Sequence, residues 1–84
     1  MSEDKQQHVI EAYFIDIVSR ETSIATNDIK VDETFHELGL DSINAVFVME
    51  KLEKEFDVSL SPLCFWDYPT IRLLSEYIEA IQNG

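Results

Sequence analysis

Apolar residues that recur three and four positions apart, in three separate stretches, constrain this chain more than any other feature. In the first, from about Lys5 to Arg20, they are Val9, Ile10, Tyr13, Phe14, Ile17 and Val18. These share one half of a 3.6-residue helical wheel, with Glu11 and Asp16 outside it. A second stretch, ending near Phe56, lines up Ala45, Val48, Met49, Leu52 and Phe56 in a narrower stripe. A third lines up Ile71, Leu74, Ile78 and Ile81. Strict alternation is absent, so no strand competes, and the pattern predicts an all-α fold.

The breaks between these stretches set the element order. Ser61-Pro62 is a helix start, with Ser as cap and Pro in the first position. Only a short helix, roughly Pro62 to Trp66, fits before Pro69. Thr70 then caps the last helix, and Asn83-Gly84 ends it. Asp57 closes the second long helix, and Val58 and Leu60 lead the chain back to the core. The connection from Glu21 to Asp41 is long. Thr22, Ser23, Thr26, Asn27 and Asp28 compete there for backbone hydrogen bonds, while Ile24, Ile29 and Val31 can pin it to the core. Thr34-Phe35-His36-Glu37 reads as a capping box opening one turn through Leu38. Gly39 ends that turn in the left-handed region, and Asp41 or Ser42 caps the next helix. Met1 to Gln7 is polar and expected to fray. The expectation is one domain over residues 1–84, ordered from about 5 to 82. It is a small four-helix bundle, three main helices plus a short helix III, with a long loop between helices I and II. Starting at Met1 and ending soon after the last helix suits a discrete protein.

Nothing but packing is available to stabilise it. Cys64 is the only cysteine among 84 residues, which excludes an internal disulfide. No Cys/His cluster offers a structural metal site. The net charge of −11 repels nucleic acid and anionic membranes and favours cationic protein partners. With no apolar span, no signal peptide and a free thiol, the expected compartment is the cytoplasm and the expected state a monomer.

Enzymatic readings find little support. His8 lies near the terminus and His36 in the loop, both read as solvated groups. Two glycines cannot make a phosphate-binding loop, and no calcium loop is present. No catalytic residue and no metal ligand is expected.

Ser42 supports two readings. In one it is only a favoured residue at a helix start. In the other its hydroxyl is held outward at the positive end of a helix dipole, where an attached phosphate is accommodated. The outer face of the helix bears on the choice. Ile43 and Phe47 are four apart and stack on its surface, nearly opposite the core stripe, among Glu50, Lys51 and Lys54. Val46 lies on the flank near Glu53. Exposed, this set is a charge-rimmed docking surface; if the loop folds over it, Ile43 and Phe47 join the core.

Three segments at fixed spacing resemble the acyl carrier proteins, the last of them the carrier domains of polyketide synthases. They are Gly39-Leu40-Asp41-Ser42-Ile43, then Leu52-Glu53-Lys54-Glu55-Phe56, then Phe65-Trp66-Asp67-Tyr68-Pro69-Thr70-Ile71. The approach from Thr34-Phe35 to Leu38-Gly39 is similar as well. The resemblance covers essentially the whole chain. It implies that Ser42, with Asp41 beside it, is the attachment site of 4′-phosphopantetheine from coenzyme A. A separate phosphopantetheinyl transferase, using magnesium, would place it. It further implies acyl thioesters carried for a ketosynthase, acyltransferase or other acyl-processing enzymes, with no bond chemistry by the carrier itself. Ile43, Val46, Glu50 and Glu53 match positions that such partners read.

The chain departs from that pattern at Phe47, where many relatives are acidic, and at Lys51 and Lys54, which dilute the acidic face. Docking is therefore expected to be more apolar and more selective, with Phe47 in it. Leu-Asp-Ser differs from the Gly-Gly-His/Asp-Ser of peptidyl carriers. A peptidyl or aminoacyl carrier and an unmodified acidic helical adaptor are the alternatives. Phe65 and Trp66 are expected as core lids, or as lining of an acyl path. Cys64 is expected as a small buried hydrophobe, and Tyr68 as shaping the turn before Pro69.

Overall fold

In the computed structural model, residues 2–83 are described, with side chains from His8 to Asn83. Helix α1 spans Ser2–Thr22, α2 Ser42–Phe56, α3 Cys64–Asp67 and α4 Ile71–Asn83. Among the described residues there is no strand, only an isolated bridge between Thr34 and Thr70. The all-α, three-plus-one arrangement expected from periodicity is the observed one.

The stripes that define the helices also build the core. Ile10, Phe14, Ile17 and Val18 of α1 pack with Val48, Met49 and Leu52 of α2 and with Ile71, Leu74 and Ile78 of α4. The most extensive helix contact is α1 against α4, followed by α1 against α2. Ala45, Phe56 and Ile81, at the ends of their stripes, are only half-buried.

The long connection is ordered by named contacts rather than by length of helix. Its first part contains a 3₁₀ turn at Thr26–Asp28 that apolar periodicity does not foresee. Ile29 is buried, and Ile24 and Val31 pack against the core from the side. The capping box forms: the Thr34 amide donates to Glu37 Oε1 at 2.9 Å and the Glu37 amide to Thr34 Oγ1 at 3.1 Å. Gly39 ends the turn at φ +87°. The loop is then stitched to the start of α4. Phe35 N donates to Pro69 O at 2.9 Å, and Arg72 N donates to Val31 O at 3.1 Å. Arg72 Nε also pairs with Asp32 Oδ1 at 3.2 Å. Phe35 is stacked between Phe14 and Phe65, with ring centroids 5.5 and 4.3 Å away.

Several expectations are corrected. Helix α1 is longer than Lys5 to Arg20 at both ends. The fraying expected of Met1 to Gln7, and with it the lower edge of the ordered range, falls outside the residues whose side chains are described. The third helix begins at Cys64 rather than Pro62; Pro62 and Leu63 form a turn ahead of it. Cys64 is buried and Phe65 reaches Phe35, but Trp66 is 78% exposed and is no core lid. Tyr68 stacks on Tyr77 at 4.5 Å.

Candidate functional site

The start of α2 resolves which residue caps it. Asp41 is extended, and its Oδ1 accepts the Asn44 amide at 2.8 Å. Ser42 is the first helical residue. It is exposed, and among the described residues its hydroxyl makes no hydrogen bond. Ser42 is therefore not the cap. Leu40, buried just before it, anchors the chain and donates its amide to Phe35 O at 3.0 Å.

Asp41 satisfies the Asn44 amide with its carboxylate and the Ala45 amide with its carbonyl. The amides of Ser42 and Ile43 have no such partner among the described residues. Two free N–H groups and an outward hydroxyl at the positive end of a fifteen-residue helix suit a phosphoryl group on Ser42.

Beside Ser42 opens a cleft of about 370 Å³ between α2 and the α3 segment. His36, Asp41 and Ser42 form its polar edge. Leu40, Ala45, Met49, Phe65 and Trp66 are among its apolar walls. Trp66 thus stands at the cleft, a position that the general tendency of aromatics to be buried does not reveal.

The outer face of α2 is open. Ile43 is 69% exposed, Phe47 52% and Val46 51%, and Glu50 is exposed beside them. The loop does not cover them. On α3 and its approach, Leu63 is exposed as well as Trp66. Glu53 behaves differently from the rest of the expected partner set. It is half-buried, and its Oε2 accepts the Leu60 amide at 2.8 Å, holding the α2–α3 connection. The sequence signal for that role was present in Val58 and Leu60, which must be drawn inward after the helix ends.

The remaining chemistry-bearing groups lie apart. His8 is exposed, and His36 is exposed at the cleft edge. Cys64 is buried, and its burial pushes the thiol pKa up. Among the described residues no group of three or more His, Cys, Asp or Glu side chains could hold a metal ion. Among them, too, no helix is long and apolar enough to cross a membrane.

The family model described as "Phosphopantetheine attachment site" matches residues 12–78. A crystal structure of a free-standing peptidyl carrier protein from an Acinetobacter baumannii secondary metabolic pathway superposes with a TM-score of 0.86. It is 35% identical, covering 92% of this chain and 96% of that one. The 5-methyl-1-naphthoate synthase of Streptomyces sahachiroi is 37% identical over 67 residues, 80% of this chain and 4% of that protein. The mycoketide-CoA synthase of Mycobacterium tuberculosis is 39% identical over 62 residues, 74% of this chain and 2% of that protein. The chain thus spans only a few per cent of the length of these two curated relatives.

Proposed function

This chain belongs to the phosphopantetheine-attachment family and is a carrier protein of that type, and we propose that Ser42 bears its 4′-phosphopantetheine and that it serves a polyketide-type pathway. The group supplies, once attached, a terminal thiol on which acyl chains travel as thioesters. Ser42 contributes the hydroxyl that receives it. Asp41 caps the helix and so leaves that hydroxyl unbonded. The free amides of Ser42 and Ile43 face the charge of a phosphodiester there. Ile43, Val46, Phe47 and Glu50 form the surface that a phosphopantetheinyl transferase and acyl-processing enzymes such as a ketosynthase or acyltransferase meet. Glu53 contributes through the loop that it holds. The carrier itself performs no bond chemistry, as is general for carrier domains.

The observation that carries this reading is the division of labour between Asp41 and Ser42: the cap is one residue and the free hydroxyl the next. The test is incubation with coenzyme A and a broad-specificity phosphopantetheinyl transferase, followed by intact mass. Wild type is expected to gain one phosphopantetheinyl group and Ser42→Ala none. A gain that persists in Ser42→Ala would remove the site assignment.

The likeness to a free-standing peptidyl carrier protein favours a second reading, an aminoacyl or peptidyl cargo. Against it stand the Leu-Asp-Ser motif and the polyketide-type relatives. Loading with acyl or aminoacyl donors separates the two.

A further inference from the structure

Resting on the reading of Ser42 as the attachment point, we infer that Glu21 and Asn44 are positioning residues for its hydroxyl. Asn44 Nδ2 donates to Glu21 Oε1 at 3.0 Å, joining the last turn of α1 to the first turn of α2. Both residues are half-buried. Asn44 follows Ser42 by two positions, so the two side chains leave the helix about 200° apart. The tie grips the side of α2 turned toward α1, and Ser42 leaves from the other side. Fixing Asn44 therefore fixes the rotation of the first turn about its axis, and with it the bearing of Ser42 Oγ.

Both ends of the tie are held. Asn44 is also the residue whose amide Asp41 caps, so cap and tie converge on one position. At the other end, α1 finishes in a set of local bonds. Ser19 Oγ donates to Ile24 O at 2.6 Å and Thr22 Oγ1 to Val18 O at 2.8 Å. Ser23 donates its amide to Ser19 O at 2.8 Å from a left-handed conformation, φ 65°. Glu21 itself is set against its helix, because a carboxylate in a last turn opposes the macrodipole. The Asn44 amide supplies the partner that accounts for it there. On the outer side, Ser42, Ile43, Val46 and Phe47 are exposed, so nothing among the described residues holds the first turn from that direction.

The test uses transferase kinetics on wild type, Glu21→Ala, Asn44→Ala, the double variant and Glu21→Gln, together with hydrogen exchange at the Asn44 and Ala45 amides. In either alanine variant kcat is expected to fall about three- to tenfold through misplacement of the hydroxyl. KM for the carrier stays within about twofold, because the face that the transferase meets is untouched. The double variant is no slower than the slower single one, since both lose the same bond. Glu21→Gln keeps an acceptor oxygen and returns kcat to near wild type. Exchange at Asn44 and Ala45 speeds up in both alanine variants. Should Asn44→Ala not fold, Asn44→Asp, similar in shape and repelled by Glu21, carries the same expectations. Unchanged kcat, losses that multiply in the double variant, or unchanged exchange each overturn the inference. A wild-type chain that gains no mass overturns the Ser42 assignment instead, and exchange alone then decides whether Glu21 and Asn44 set the first turn.

Discussion

Asp41 accepts the amide of Asn44 through its side chain and the amide of Ala45 through its carbonyl, so one residue closes the start of α2. Asp41→Ala is expected to cost about 1 kcal/mol of folding stability, the usual value of an N-cap. Ser42→Ala is expected to cost much less, because no bond of its hydroxyl is lost. Urea denaturation of the two variants measures this. Equal losses would mean that Ser42 shares the capping.

Phe47 is half-exposed on the α2 face proposed above as the docking surface. Phe47→Glu replaces the apolar ring with an acidic side chain at that position. Stability is expected to stay within about 0.5 kcal/mol, as for most surface changes. Acyl transfer from the natural partners is expected to slow. Unchanged transfer rates would remove Phe47 from the docking surface.

Phe35 is the centre of a column of three rings joining α1, the loop and α3. Phe35→Ala is expected to cost about 3–5 kcal/mol, a large share of the stability of a small domain. Thermal unfolding followed by circular dichroism reads it. The loop should loosen with it, since the ring holds residue 35 where its amide meets Pro69 O.

Gly39 sits at φ +87° with open space where a side chain would be. Gly39→Ala therefore meets no clash, only the left-handed backbone cost of about 1 kcal/mol. A loss well above that in denaturation would point to strain transmitted into the turn before Asp41.

Burial is the main cause that raises the Cys64 pKa; a Ser61 backbone hydrogen bond opposes it, and Asp67 and Glu53 add to it. Burial, then Glu55, raises Tyr13 as well. In both cases the folded state keeps its proton longer than the unfolded chain. Stability is therefore full below the ordinary ionisation range and falls as pH rises from about 8.5 upward. The urea midpoint, measured between pH 7 and 10, should decline, and Cys64→Ala should flatten the first part of that decline. At neutral pH, Cys64 should resist maleimide until the protein unfolds.

The helices were legible because their apolar residues repeat with the helical period and their ends carry caps. Thr34 with Glu37, Gly39, Asp57 and Thr70 each do what their residue type favours. What periodicity could not supply was the placement of residues held by distant partners. The loop's bond from Phe35 to Pro69 and the tie from Glu21 to Asn44 join positions that share no local pattern. Trp66 could not be placed from sequence, since a helix of four residues has no period to read; of its two expected positions it takes the one at the cleft, not the one in the core. Ser42 was legible as a candidate site through its neighbours; that Asp41 alone caps the helix was not.

Trp66 is the only tryptophan in the chain, and it stands outside the core at the edge of the cleft. Its emission should change little when the domain melts, since the indole is already in water beforehand. The same indole should respond when another molecule covers that edge, which makes it a built-in fluorophore for encounters rather than for folding.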